Sequence, residues 1–282
     1  MRVAFLGPAG TYTEEALRAS APGPVEEVPY PSVRDTVMAV QEGEVDRAVV
    51  PIENVLEGGV AATLDALATI ADRVRISAEV VIPIHHCVVA AGELRLEDIE
   101  RVISHPQATA QCAQFLRERL PGVELVSAGS TAEAVRQVRD APGPWAALGS
   151  RLSAELYGCR VLAEDVEDHA GNLTRFVWLA PAGEPADPGP RAKTSVVFWG
   201  AGDESPGWLV AVLHEFADRG INLTRIESRP RRVRLGHYMF FADLDGAESD
   251  DHVGEALAAL RERVQTLRVL GSYPAAPAPP SG

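Results

Sequence analysis

Lysine is almost absent from this chain of 282 residues: of its 26 basic residues, 25 are arginine and one is lysine, Lys193. A lysine-free stretch of this length cannot form a Schiff base, anchor pyridoxal phosphate or supply a Walker-type G-K-[ST] loop. Positive charge is scarce as well, with 26 bases against 40 acids and a net charge of −14. Residues 1–190 hold 15 Arg against 28 acids, a net of −13, whereas residues 191–273 hold 11 bases against 12 acids. That balance excludes non-specific binding to nucleic acid or an anionic membrane, which needs a basic face. An anionic ligand must be held here by arginine, helix N-termini and neutral donors.

Cysteine is rare too. Cys87, Cys112 and Cys159 are odd in number and widely spaced, with no C-x-x-C pair. Buried thiols in a reduced, cytoplasmic protein are the expectation. No apolar run approaches the ~18 residues of a membrane helix. The opening MRVAFLGPAG lacks the longer apolar core and cleavage site of a signal peptide.

Two Pro-rich stretches divide the chain: a linker over 181–192 and a disordered tail over 274–282. Before the linker, short apolar runs alternate with amphipathic segments. Strands are expected at Val3–Leu6, Arg47–Ile52, Glu79–Ile84, Val88–Ala91, Val102–Ser104, Glu124–Val126, Ala146–Leu148 and Arg175–Leu179. Helices are expected at Thr13–Ala19, Val33–Glu42, Val60–Ala71, Thr109–Arg119, Ala132–Asp140 and Ser153–Tyr157. This rhythm predicts an α/β fold with parallel sheets and ligands at the carboxyl ends of strands. After the linker the order β-α-β-β-α-β predicts a ferredoxin-like unit whose free edge strands invite a second copy.

Several strand-to-helix junctions carry hydroxyls and backbone N–H groups. Gly7–Thr13 contains Thr11 and Tyr12 and is either an anion site or a tight turn with an N-cap. Glu53 and Asn54 end a strand and point either at a ligand crevice or at the next helix. Ser104-His105-Pro106-Gln107 and Ser130-Thr131 repeat the pattern, and His105 beside a helix N-terminus resists protonation. Asn172-Leu173-Thr174-Arg175-Phe176 offers a guanidinium fork beside a neutral hydroxyl. His85 and His86 are adjacent on a strand-like run, so their rings diverge, which argues against a shared metal.

These segments, GPAGTYTEEAL, VVPIEN with its Gly-Gly, SHPQA, STAEA and NLTRF, resemble the prephenate dehydratase family in sequence and order. KTSVVF, INLTRIESRP and VLGSYP continue the likeness into that family's ACT regulatory domain. The resemblance implies a two-lobed, type II periplasmic-binding-protein-like catalytic domain over 1–180, with lobe 1 at about 1–83 and 166–180 and lobe 2 at about 84–165. A ferredoxin-like βαββαβ ACT domain would follow over 193–273. It implies a lyase that converts prephenate to phenylpyruvate, CO2 and water with no metal and no organic cofactor. Thr174 would hydrogen-bond the leaving hydroxyl, with a proton relay through Glu53, His105 or water. Arg175 and the helix starts near Thr11, Ser104 and Thr131 would take the carboxylates, with Tyr12 and Ser130 beside them. Asn54, Gln107 and Asn172 would orient the ligand, and Phe176 would pack.

For the effector, expected to be phenylalanine, the resemblance points to Gly207, Trp208, Leu209, Asn222, Leu223, Glu227, Ser228 and Arg229, and to a homodimer or homotetramer assembled through ACT domains. Two positions depart from the family pattern. Val55 replaces a serine, removing a hydroxyl near the expected site, and Trp208 replaces an alanine in the effector motif. These departures leave two alternatives: a relative acting on arogenate or decarboxylating prephenate without aromatisation, and a non-catalytic amino-acid sensor.

Overall fold

The computed structural model describes residues 1–184, 187–200, 202 and 205–277, and among these residues three β-sheets organise the fold. The first lobe supplies β1 (Arg2–Leu6), α1 (Tyr12–Ser20), β2 (Glu26–Tyr30), α2 (Val33–Gln41), β3 (Arg47–Asn54), β4 (Gly58–Gly59), α3 (Ala61–Thr69) and β5 (Val74–Pro83). The second supplies β6 (Cys87–Ala90), β7 (Arg101–Ser104), α4 (Pro106–Gln111), α5 (Ala113–Arg119), β8 (Glu124–Ser127), α6 (Thr131–Arg139), β9 (Trp145–Gly149), α7 (Arg151–Tyr157) and β10 (Arg160–Ala163). The chain then returns to the first lobe as β11 (Leu173–Pro181). The C-terminal unit follows as β12 (Ala192–Trp199), α8 (Trp208–Ala217), β13 (Leu223–Pro230), β14 (Tyr238–Asp245), α9 (Asp251–Arg263) and β15 (Thr266–Pro274). From residue 278 the expected tail lies outside the described residues. No described helix is long and apolar enough to cross a membrane.

The strand orders are β2-β1-β3-β11-β5 with β4 on β3, then β10-β6-β9-β7-β8, then β13-β14-β12-β15. The layout is the two-lobed one that the family resemblance implies. The sheets, however, are mixed rather than parallel. β11 enters between β3 and β5 antiparallel to both, because the chain returns from the second lobe at the opposite end of the sheet. In the second lobe β6 runs antiparallel to β9 and β10.

Local sequence explains most elements. Ser32 accepts the Asp35 N–H (3.1 Å) and donates to its carboxylate (2.6 Å), a reciprocal cap on α2. α6 buries Thr131, Ala134, Val135 and Val138 at three- and four-residue spacing and exposes Arg136 and Arg139. The helix expected over 109–119 is instead two, because Cys112 leaves helical geometry at φ −114°, ψ 20°. β2 and β10 have no counterpart in the sequence reading; both are edge strands with weak apolar patterning, and β2 contains Pro29, which an edge tolerates.

Alternation along β11 governs the core. Phe176 and Trp178 pack toward α1 with Phe5, Leu17 and Val49. Val177 and Leu179 face the other way, into a cluster of Val50, Ile52 and Leu67 that also includes Val197, Phe241, Leu270 and Tyr273 of the C-terminal unit. That unit's second sheet face is therefore buried on the first lobe, while α8 and α9 cover its other face through Val196, Phe198, Phe216 and Leu257. Arg268 donates to the carbonyls of Ala68 and Ala71 (2.7 Å each), placing positive charge at the negative end of α3. Gly271 lies so close to β5 that a Cβ would collide with the Ile76 carbonyl oxygen. Gly271→Ala is expected to destabilise the whole protein by about 1–3 kcal/mol through overpacking. Thermal unfolding checks this, and an unchanged Tm refutes the close fit.

Candidate active site

A cleft of about 300 Å³ lies between the lobes, walled by Thr11, Asn54 and Thr174 from one side and by His105, Gln111 and Thr131 from the other. Its floor is the paired ends of β3 and β11, where Thr174 stands opposite Asn54 and Arg175 opposite Glu53. Hydrogen bonds fix the polarity of that floor. Asn54 Oδ1 accepts the backbone N–H groups of Leu56 (2.9 Å) and Glu57 (3.0 Å). Only an oxygen can do so, so the amide nitrogen points the other way and donates to Thr174 Oγ1 (2.9 Å) and Asn172 Oδ1 (2.8 Å). Thr174 is thus an acceptor toward Asn54 and keeps its own proton for the cleft.

The same directionality crosses to the second lobe. Asn172 Nδ2 donates to Gln111 Oε1 (3.0 Å), which also faces His86 Nε2 (3.0 Å), while Gln111 Nε2 donates to Glu57 (3.3 Å). His86 therefore carries its proton on Nε2 and leaves Nδ1 as an acceptor, 3.0 Å from the Tyr12 hydroxyl, whose single proton lies between Nδ1 and the nearer His85 carbonyl (2.7 Å). Burial pushes His86 below the usual histidine range and the Tyr12 phenol well above its own, so both are neutral at neutral pH. His85 turns to the rim, where its Nδ1 meets Glu167 (2.8 Å) and Asp165 (3.0 Å).

Among the described residues, no arginine, lysine, aspartate or glutamate lines the cleft. What faces it are neutral side chains and the starts of α1 and α6. Thr11 does not cap α1 with its hydroxyl, which donates to the Leu6 carbonyl (2.8 Å). Ser130 accepts the Glu133 N–H (3.0 Å), leaving earlier N–H groups of α6 without intrahelical partners. His105 Nδ1 accepts the Gln107 N–H (3.3 Å), so a neutral His105 offers Nε2–H.

Of the residues singled out in the sequence, Thr11, Tyr12, Asn54, His105, Gln107, Ser130, Thr131, Thr174 and Phe176 line this cleft, and Asn172 braces its floor. Ser104 does not line it: its hydroxyl is buried and donates to the Leu148 carbonyl (2.9 Å), tying β7 to β9. Glu53 and Arg175 do not line it either, since strand alternation turns them to the opposite sheet face. There Arg175 contacts Glu79 (2.6 Å), Glu53 (3.1 Å), Asp243 (2.6 Å) and the Tyr273 hydroxyl (2.9 Å). Val55 is exposed outside the cleft, so its missing hydroxyl removes no wall contact. Gln111 and His86 joined the site only through the structure. The Gln107–Gln111 spacing, one helical turn on one face, was the available cue for the first.

The expected effector residues separate into three groups. Gly207, Trp208 and Leu209 bound a groove of about 200 Å³ together with Tyr238 and Phe240. Trp208 packs against Phe198 and Phe240, with centroids at 6.3 and 5.9 Å, and its Nε1 donates to the Arg263 carbonyl (3.3 Å). Asn222 bonds Asp245 (2.8 Å), and Leu223 packs in the helix-covered core. Glu227 and Arg229 face the first lobe, where Arg229 forks onto Asp65 (3.0 Å twice), whereas Ser228 is exposed on the other face of β13.

A model of the prephenate dehydratase family matches residues 3–184, and one of the ACT domain matches residues 194–262. A prephenate dehydratase of Mycobacterium tuberculosis is 40% identical over 287 residues, covering 99% of this chain and 88% of its own. The crystal structure of a prephenate dehydratase from Arthrobacter aurescens in complex with L-Phe has a TM-score of 0.90 at 41% identity, covering 97% of this chain and 90% of that one. A structure described as a novel type of quorum quenching acylase has a TM-score of 0.86 at 31% identity, covering 98% and 99%. With a family model over more than half its length and relatives of this identity over nearly all of it, the chain belongs to the prephenate dehydratase family.

Proposed function

We propose that the cleft binds prephenate and converts it to phenylpyruvate, CO2 and water, as a carbon–oxygen lyase in phenylalanine synthesis. The observation that carries this reading is the fixed polarity at Thr174. In the reaction the ring carboxylate leaves as CO2, its C–C electron pair enters the ring, and the ring C–O bond breaks as the ring aromatises. The departing hydroxide takes up one proton to become water. A hydroxyl whose oxygen accepts from Asn54 has its proton free to donate to that leaving oxygen, and it is held there without reorganisation. Threonine is too weak an acid to supply the proton by its own ionisation, so Thr174 polarises the bond by donating a hydrogen bond, and water supplies the proton that the departing hydroxide takes up.

Binding of the dianion rests on the starts of α1 and α6 and the hydroxyls beside them, with Gln107 and His105 completing the donors. Leu6, Ile84 and Phe176 give the ring an apolar wall. Amide hydrolysis, as named for the acylase relative, needs a nucleophile activated by a base. Among the described residues the Thr174 hydroxyl is bonded to an amide, not to a histidine or carboxylate.

The same reading takes residues 1–180 as the catalytic domain, 181–192 as a linker and 193–273 as the ACT domain. Phenylalanine, the ligand of the Arthrobacter relative, is the expected effector, and assembly runs through ACT domains whose edge strands β13 and β15 stay open. A reducing cytoplasm suits three free thiols, of which Cys87 and Cys112 are buried.

Incubation with prephenate should yield phenylpyruvate, and a non-aromatic keto acid would overturn the reading. Thr174→Val should lower kcat by about 10²–10⁴-fold while KM changes modestly; near-native kcat would place the assistance elsewhere. Because a protein of net charge −14 repels a dianion, added salt screens the repulsion. Accordingly kcat/KM should rise with ionic strength, and a steep fall would reveal a steering positive patch. The Trp208 indole occupies space beside the effector groove, so phenylalanine should inhibit weakly in the native protein and more strongly in Trp208→Ala. Steep inhibition at low concentration, unchanged in the variant, would remove Trp208 from the regulatory account.

A further inference from the structure

Glu53 and Arg175 face away from the cleft, yet each is the chain neighbour of a residue that faces it. One rung of the β3–β11 ladder pairs Asn54 with Thr174, and the next pairs Glu53 with Arg175. The charged rung is gripped by the ACT sheet, and all four of its strands take part. Asp243 on β14 and Tyr273 on β15 reach the Arg175 guanidinium at 2.6 and 2.9 Å. Ser195 on β12 donates to Asp243 (2.5 Å) and lies 2.6 Å from the Tyr273 hydroxyl. Arg225 on β13 approaches Glu53 (3.7 Å) and pairs with Glu227 (2.5 Å).

A second grip acts on the other catalytic strand. The Glu227 carboxylate lies directly on Gly59, with no room for a Cβ between them. Gly59 pairs with Glu53, and Gly58 with Asn54, so this contact bears on the same two positions of β3. The register of β11 against β3 also shifts between Arg175 and Phe176. Such an irregularity re-aims side chains and needs support to hold one setting.

We propose that Arg175 and Glu53 are positioning residues of an interdomain clamp, through which the ACT sheet sets the Asn54–Thr174 hydrogen bond. The kinetic part rests on the dehydratase reading of the cleft; the structural part does not. An ACT sheet that shifts against Arg175 moves Thr174 one residue away, with no need for the effector to approach the cleft.

The test uses the full-length protein with Asp243→Asn, which keeps shape and removes charge far from the ligand, and with Arg175→Lys. Prephenate turnover is measured together with hydrogen exchange of segments 52–55 and 172–176 in the absence of ligand. Both variants are expected to lose about 10–100-fold in kcat with KM near the native value, and to exchange faster in both segments while β9 keeps its protection. The double variant should be no worse than the poorer single one, because both cut the same link. Raised KM at native kcat in Arg175→Lys would make it a substrate ligand and overturn the clamp, as would native kcat and exchange in Asp243→Asn. Should Arg175→Lys fail to fold, Tyr273→Phe takes its place with the same criteria. A native protein inactive on prephenate would defeat the dehydratase reading, and the exchange measurement would still decide the clamp.

Discussion

Everything distinctive in this molecule depends on side-chain alternation at two adjacent rungs between β3 and β11. One rung sends Asn54 and Thr174 into the cleft, and the next sends Glu53 and Arg175 into the contact with the ACT sheet. A slip of one residue would exchange the faces, putting two charges where a neutral donor is wanted and a threonine among buried acids. The buried charges make such a slip costly. Arg175 sits between Glu53, Glu79 and Asp243, and losing one partner of such a group costs about 3–5 kcal/mol. Burial pushes the Asp243 carboxyl up, but Arg175, Arg225 and the Ser195 hydroxyl prevail and hold it below the usual carboxylate range. The ion cluster thereby specifies a register more than it adds stability.

The cleft itself follows a different economy. A dianion bound by arginines would be held tightly in both ground and transition states, and uniform binding of that kind does not accelerate chemistry. Helix starts, hydroxyls and amides hold anions by fixed dipoles instead. These dipoles are already oriented by bonds such as Leu56 N–H to Asn54 and Gln107 N–H to His105. The hydrogen-bond chain Asn54–Asn172–Gln111–His86 also joins the lobes, so the orientation of the floor amides is tied to the second lobe.

Much of this was legible in the sequence. The α/β alternation, the split βαβ unit and nine of the cleft-lining residues follow from pattern and motif. The direction in which Arg175 points was not legible. A guanidinium next to a threonine in a motif invites a carboxylate, and only the pairing of β11 with β3 and β5 shows that the two side chains diverge. Glu53 was misplaced for the same reason. Ser104 shows a different limit: a buried hydroxyl must satisfy itself, and the Leu148 carbonyl was nearer than any ligand. Gln111 and His86 matter through partners 61 and 25 residues distant, a relation that no local spacing encodes.

The single lysine gains a meaning from where the fold puts it. Lys193 begins the ACT unit and reaches back to Glu79 at 2.7 Å, with its side chain 14% exposed, in the same cluster that holds Arg175. Arginine is inert to acylating reagents, so apart from the chain terminus this protein presents them with one amine, and that amine is sheltered by the domain contact. Its rate of acylation is therefore a built-in gauge of how often the two domains part, readable at one site without introducing any label.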